Sequence, residues 1–219
     1  MKFPYPELIT QSLTGQRFYI TPEGNAYPSI TTMLGITMRP EKVKALNDWR
    51  TALGGAEADR QSNAAATRGT NVHRMIEEFL NGDKVDQSNV SPDDIQIFNS
   101  LRLKFKNINE IWGQEVALYS NMLEIAGRCD FIGVYKNKDC IIDFKTSNNH
   151  KDKNKIDDYY MQMTFYGLAH NEMFGTNIND GVILMGCSNG LPLEFKVDLR
   201  QYVDPLCDRI DAYYKKFAA

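Results

Sequence analysis

The sequence predicts an α/β domain in which helices flank a central mixed β-sheet, with a mainly helical part before it. Three observations carry this reading. Capped, amphipathic helical segments fill most of the chain to about residue 110. The texture then changes to β-branched and aromatic runs separated by turns, and further strands alternate with helices to the end. A chain of 219 residues fits one domain, about 1–110 helical and about 111–219 the sheet core, and can bury that core without disulfide staples.

The elements follow in order. The chain to about residue 21 reads as short and irregular, with a candidate strand at 17–20. After the turn Pro22-Glu23-Gly24-Asn25, Tyr27-Pro28 leads into a helix opened by Ser29, whose hydroxyl suits an N-cap. Residues 41 to about 53 form a second helix, which Gly54-Gly55 ends. A long helix covers roughly 58–80, where Val72, Ile76, Phe79 and Leu80 make an apolar stripe and Asn81-Gly82 a stop. Ser91-Pro92 pairs a cap with proline at the first helical position, and that helix is expected to reach about residue 109. Strands are expected at 114–119, 123–135 and 140–145, the last two joined by a turn at Lys136-Asn137-Lys138-Asp139. A charged segment at 148–155 precedes a helix from about 157 to 174, strands near 181–185 and 193–197, and a final helix from about 200 to 217.

Composition narrows the class. With 42% hydrophobic and 24% charged residues, the chain is ordinary for a soluble protein. No apolar run is long enough to span a bilayer, and the N-terminus lacks an apolar stretch before a small-residue cleavage site. The expectation is therefore a cytoplasmic protein, of a bacterium or a phage-infected host, with no membrane partner. A net charge of −3 argues against a non-specific nucleic-acid coat, but not against an enzyme whose acidic residues hold metal ions. Cys129, Cys140, Cys187 and Cys207 lack the paired spacing of zinc or redox sites and read as buried apolar residues, the first two inside strands.

The chemistry concentrates in Gly127-Arg128-Cys129-Asp130 and Ile142-Asp143-Phe144-Lys145-Thr146-Ser147. Asp143 and Lys145 are two apart, so on a strand they share a face while Phe144 and Ile142 turn to the other. If the hairpin turn centres on Asn137, Asp130 falls opposite residue 144, give or take one, with its carboxylate roughly 5–8 Å from Asp143 and Lys145 at Cβ. Two carboxylates so close repel each other, and a divalent cation such as Mg²⁺ relieves this, with the Phe144 carbonyl as a further oxygen. A lone Asp-x-Lys triplet is common and reads as a solvated strand with its own ion pair. The second Asp, placed to meet the first amid apolar sequence, is what favours a metal site. Such a site, with Lys145 offsetting developing negative charge, has the parts that phosphodiester hydrolysis needs.

These residues also resemble the PD-(D/E)xK nuclease superfamily, in particular its RecB-like branch. There an Asp in a Gly-Arg-x-Asp context precedes an Asp-Phe/Trp-Lys-Thr-Ser strand end, and the thirteen-residue step from Asp130 to Asp143 fits. Phage exonucleases and mitochondrial genome maintenance exonucleases are the most similar in form. The resemblance implies a restriction-endonuclease-like core, with Asp130 and Asp143 as metal ligands and Lys145 as the catalytic lysine. Gly69 to His73 fits a Gly-x-x-x-His motif of that branch, implying His73 as a ligand and Mn²⁺ as an alternative to Mg²⁺. Without the resemblance, His73 reads as a structural histidine beside an apolar stripe, with Glu77 one turn on. Arg68 immediately precedes the motif and joins the substrate-contact candidates.

Gln162 and Tyr166, four apart on one helix face, match the branch's Gln-x-x-x-Tyr motif. The resemblance implies that Gln162 bonds near the lysine or a phosphate, and that Tyr166 contacts DNA. Taken alone, Tyr159, Tyr160, Phe165 and Tyr166 are an aromatic packing surface. Glu115 stands where the family often has a Glu near the site, or is an exposed strand-end carboxylate. Ser29 and Thr31, in a segment like the family's Pro-Ser-Val-Thr, either bond a DNA phosphate or simply cap a helix. Thr146 and Ser147 complete the substrate-contact set, and Lys151, Lys153 and Lys155 follow as a basic run that can touch a nucleic-acid backbone.

The implied function is a metal-dependent exonuclease acting on single-stranded DNA or DNA ends, alongside replication or recombination proteins. No Gly-x-x-x-x-Gly-Lys-Ser/Thr loop is present for ATP-driven unwinding. The alternatives are a structure-specific endonuclease of the same fold and a DNA-binding module without catalysis. The CRISPR adaptation nucleases of this branch hold an iron–sulfur cluster with one N-terminal and three C-terminal cysteines. This chain lacks that arrangement, and no such cluster is expected.

Overall fold

The computed structural model describes residues 2–147, 156–188 and 190–217. A small sheet at the N-terminus gives way to helices, then to the main sheet. Strands β1 (Ile9–Leu13), β2 (Gln16–Ile20) and β3 (Ala26–Pro28) form a small antiparallel sheet. Helices α1 (Ile30–Ile36), α2 (Pro40–Leu53), α3 (Gly55–Asn81) and α4 (Pro92–Phe105) follow. Strands β4 (Ile108–Ser120), β5 (Ile125–Tyr135) and β6 (Lys138–Ser147) come next, then α5 (Asp157–Phe174), β7 (Asp180–Cys187), β8 (Leu193–Asp198) and α6 (Val203–Phe217).

The main sheet has the order β4-β5-β6-β7-β8, antiparallel except where α5 crosses over to set β7 parallel to β6. The expected architecture, a central mixed sheet flanked by helices, is the one found. The N-terminal part differs in its first stretch: it is a three-stranded sheet in which the candidate strand at 17–20 is the middle member. Its pairing is local, through a tight turn at Thr14-Gly15 where both residues have positive φ (50° and 77°), but the strands are short and β1 is exposed along its whole length, which leaves little period-two signal.

Two apolar layers sandwich the sheet. On one side Val72, Met75 and Ile76 of α3 and Ile97, Phe98 and Leu101 of α4 pack on Phe131, Ile142, Phe144 and Leu184. On the other, Met161, Phe165 and Tyr166 of α5 and Leu206 and Ile210 of α6 pack on Ile132, Ile141 and Ile183, with Ile30 and Met33 of α1. Ser91 caps α4 as expected, its Oγ accepting from the Asp94 N–H at 3.1 Å. That helix ends at Phe105 rather than near 109, because Ile108 already pairs with Tyr135 in the sheet. Gly82 takes the left-handed conformation (φ 80°) that closes α3, as the Asn-Gly stop predicts. Cys129, Cys140 and Cys187 are buried, whereas Cys207 is only half-buried on α6, short of the expectation for all four. No helix of the described residues is long and apolar enough to cross a membrane.

Candidate active site

The β5–β6 hairpin assembles the acidic pair. Lys136 and Asn137 adopt positive φ (50° and 61°), the requirement of a tight two-residue turn, and so pair Tyr135 with Lys138 and Phe131 with Ile142. One step further along this register, Asp130 stands level with Asp143, within the one-residue tolerance expected from sequence. Ile142 and Phe144 sink into the layer beneath α3 and α4, leaving Asp143 and Lys145 on the α5 side.

Asp143 is 1% exposed. Lys145 Nζ donates to its Oδ1 at 2.5 Å and sits 4.9 Å from the centre of the Tyr159 ring. Asp143 Oδ2 is buried and has no hydrogen-bond partner among the described residues. Burial pushes the Asp143 carboxyl up to about 6 despite the nearby Lys145, and the Asp130 charge adds to the rise. Burial works against the Lys145 charge, but Asp143 and Asp130 outweigh it and hold the ammonium above the ordinary lysine range.

Asp130 Oδ2 accepts from the Phe144 N–H at 2.8 Å, which fixes the carboxylate across the hairpin. Its Oδ1 is 3.8 Å from Nδ1 of His73, on the inner face of α3. His73 Nε2 donates to the Phe144 carbonyl at 2.9 Å and Nδ1 to Glu115 Oε1 at 3.3 Å. Only an imidazolium donates from both nitrogens. Burial disfavours that cation, yet Asp130 and Glu115 raise His73 to about 9. Glu115 has φ 48° within β4, a left-handed conformation that is uncommon for a non-glycine residue and typical of strain kept at a site.

One ligand-type atom from each of His73, Glu115 and Asp130 lies within 4.8 Å of the other two, a spacing at which three groups can share one cation. Glu115, expected among substrate contacts, therefore stands with the ligand-type groups. Asp143 lies outside this set and is tied to Lys145 instead.

Two cavities meet at Glu115 and Arg128. One, of about 460 Å³, is lined by Thr70, His73, Arg74 and Glu77 of α3. The other, of about 430 Å³, is lined by Arg17, Ser29, Thr31, Asp130, Gln162 and Tyr166. Ser29 and Thr31 of capped α1 and Gln162 and Tyr166 of α5 are thus brought to the acidic cluster from two separate elements. Ser29 also caps α1, accepting from the Thr32 N–H at 3.2 Å, so the capping reading of that residue is observed and its side chain lines the cavity as well.

Tyr166 departs from its expected part. It is 2% exposed, and its hydroxyl donates to the Arg128 carbonyl at 2.6 Å while accepting from Gln162 Nε2 at 3.2 Å. The ring lies against Gly127, where an added Cβ would come within 2.9 Å of both Tyr166 and Ile30. Tyr166 therefore braces the strand that carries Asp130. Arg68 also departs: its Nε lies 3.6 Å from Asp94 Oδ1, tying α3 to α4, and it lines neither cavity. Thr146 and Ser147 extend β6 past Lys145 alongside Gly186 and Cys187, and neither lines the two cavities. Lys151, Lys153 and Lys155 lie outside the described residues. Arg17, Arg74 and Arg128 were not singled out from sequence. Arg128 sits inside the Gly-Arg-x-Asp motif, but Arg17 reaches the cavity only through tertiary packing and carries no local signal.

No family model matches the chain. It is similar to mitochondrial genome maintenance exonuclease 1 of Mus musculus (23% identical over 175 residues, 77% of this chain and 52% of the relative). The Xenopus tropicalis protein of that name is 25% identical over 174 residues, covering 75% and 50%. The Homo sapiens protein is 23% identical over 180 residues, covering 77% and 51%. The chain spans about half the length of these curated relatives. They support the resemblance read from the motifs, that of a PD-(D/E)xK-like exonuclease.

Proposed function

We propose that this chain is a metal-dependent DNA exonuclease that hydrolyses phosphodiester bonds in single strands or at DNA ends, with Mg²⁺ or Mn²⁺ as its cofactor. The observation that carries the reading is the buried Asp143. One of its oxygens is bonded by Lys145, and the other has no hydrogen-bond partner among the described residues, beside the His73, Glu115 and Asp130 cluster. A carboxylate oxygen is not buried unbonded without cost, and a cation with oxygen and nitrogen ligands removes that cost.

The donor set fits such an ion. His73, Glu115 and Asp130 would hold it, with the Phe144 carbonyl and Asp143 nearby. The chemistry supplied on binding is acidification of water and neutralisation of charge at a phosphoryl oxygen. The protein's own groups do the rest. Lys145, kept protonated by its carboxylate neighbours, orients the attacking water or offsets charge on the phosphorane-like state. Asp130 and Asp143, fixed by a backbone N–H and by Lys145, hold their oxygens without reorganisation. Water adds to phosphorus as the bond to the leaving sugar oxygen breaks, and that oxygen is released protonated.

The test is cleavage of end-labelled single- and double-stranded DNA with Mg²⁺, Mn²⁺ or EDTA. Stepwise loss of terminal nucleotides, abolished by EDTA and by Asp143→Ala or Lys145→Ala, is expected. Cleavage retained in either variant overturns the mechanism. Full activity on a closed circular single strand overturns the exonuclease assignment.

A further inference from the structure

We infer that Arg17, on the middle strand of the small N-terminal sheet, is a substrate-positioning residue that grips a backbone phosphate of the nucleic acid beside the one being cut. The inference rests on the proposed function and gives the N-terminal sheet a part in it.

Arginines in this fold are mostly neutralised at short range, as Arg50 is by Asp59 at 2.7 Å and Arg74 by Glu78 at 2.6 Å. Arg17 is not: among the described residues no carboxylate lies within ion-pair distance of it. Among the described residues its hydrogen-bond partners are neutral hydroxyls, and its guanidinium lies 5.7 Å from the centre of the Tyr19 ring. One guanidinium nitrogen donates to Thr31 Oγ1 at 2.8 Å and to Ser29 Oγ at 3.3 Å, and the two hydroxyls bond each other at 2.9 Å. The backbone adds a third tie, from the Ser29 N–H to the Arg17 carbonyl at 2.8 Å. The guanidinium is therefore oriented while its full charge and remaining donors are left for a ligand.

That ligand is an anion met in a particular place. Arg17 is exposed and lines the cavity that also holds Asp130, Gln162 and Glu115. Arg128, a second arginine without a carboxylate partner among the described residues, lines the same cavity, its guanidinium donating to the Glu115 carbonyl at 2.8 Å. A small free anion would gain little from a site bordered by carboxylates. A phosphodiester chain can place one phosphate at the acidic cluster and the next at the guanidinium, whose planar donor fork matches phosphate oxygens.

The experiment measures binding apart from cleavage. A fluorescein-labelled single-stranded oligonucleotide is titrated with the 219-residue chain in EDTA, by anisotropy, over a range of salt concentrations. Arg17→Gln is expected to weaken binding roughly tenfold and to flatten the log–log salt slope by about 0.7, the loss of one phosphate contact on a single strand. Arg17→Lys should restore the slope but only part of the affinity. In the cleavage assay, Arg17→Gln should raise KM with kcat held within about threefold, the signature of lost uniform binding. Wild-type affinity and slope in Arg17→Gln overturn the inference. Should that variant fail to fold, Thr31→Val, which removes the shorter hydroxyl anchor, carries the same test, and unchanged affinity and slope there overturn it equally. Wild-type protein that binds the oligonucleotide but never cuts it overturns the nuclease reading and leaves the Arg17 result standing.

Discussion

Lys145 donates to only one oxygen of Asp143, and the other oxygen of that buried carboxylate is left unbonded among the described residues. The pair is therefore unbalanced in a way that stability measurements can read.

Lys145→Met should destabilise the protein on the order of 3 kcal/mol at pH 8, because it leaves a buried carboxylate without its cation. The deficit should shrink towards pH 5. The folded Asp143 carboxyl, at about 6, already lies above its ordinary value. Its contribution to stability is thus fully present below the unfolded pKa and is lost as pH rises through 6. Removing Lys145 moves that loss to higher pH and enlarges it. Urea unfolding of both proteins at pH 5 and pH 8 checks this, and an equal deficit at the two values contradicts it.

His73, Glu115 and Asp130 should bind a divalent cation in the absence of DNA. Mn²⁺ at 100 times its dissociation constant should stabilise the wild type by about 2.7 kcal/mol. His73→Ala and Asp130→Asn should need at least the tenfold more metal that follows loss of even an outer partner of a metal ligand. Thermal melts across a Mn²⁺ titration measure this without any cleavage. A shift of the same size at the same concentrations in all three proteins removes the site.

Local pattern made much of this legible, and the limits of legibility have a common cause. The Asp143–Lys145 step is a strand-period fact, and the turn at Lys136-Asn137 set the partner of Asp130 to within one residue. Gln162 and Tyr166 were placed on one helix face correctly, because α5 begins and ends where its sequence predicts. What the sequence could not supply was the depth of each group. Tyr166 looks like a DNA-contacting tyrosine until its ring is found against Gly127, and Arg68 like a substrate contact until Asp94 is found beside it. The three-stranded sheet was not legible because its strands are short and β1 is exposed along its length, and Arg17 was not because its partners Ser29 and Thr31 belong to another element. The strained φ of Glu115, which goes with its carboxylate's place beside His73, has no sequence signature at all.

Stability should fall as pH drops from about 6.5 towards 4 through His170 on α5. Burial lowers its pKa to about 4, because the ring is enclosed by Phe3, Tyr5, Trp112 and Phe174. Both ring nitrogens are already engaged, by the Tyr5 hydroxyl at 3.0 Å and the Thr176 hydroxyl at 2.8 Å. With the folded pKa below the unfolded one, stability is fully present above about 6.5 and is lost as pH falls through 4. Since Tyr5 and Phe3 belong to the N-terminal segment, that segment should loosen first. Melts of the wild type and His170→Gln between pH 7 and pH 4 should show a shallower pH dependence in the variant.

Tyr166→Phe distinguishes bracing the site from touching the substrate. The variant keeps the ring against Gly127 but strips the Arg128 carbonyl of its 2.6 Å donor, two residues from Asp130. That bond is partly buried and Arg128 itself is exposed, so urea unfolding should show a loss towards the low end of the about 1–3 kcal/mol that an unsatisfied buried carbonyl costs. The effect on cleavage should appear in kcat, through a less well held Asp130, with KM unchanged. A tyrosine that bonds the DNA would give the opposite split, a raised KM with stability intact. Gly127→Ala tests the same brace from the other side. Its Cβ would come within 2.9 Å of the Tyr166 ring and of Ile30, both buried, so neither can yield freely, and overpacking of this kind costs about 1–3 kcal/mol. If the brace sets the position of Asp130, Gly127→Ala and Tyr166→Phe should be less than additive in kcat. Both act on one strand segment, and the second change finds it already displaced. Full additivity would mean that Tyr166 and Gly127 act on cleavage by separate routes.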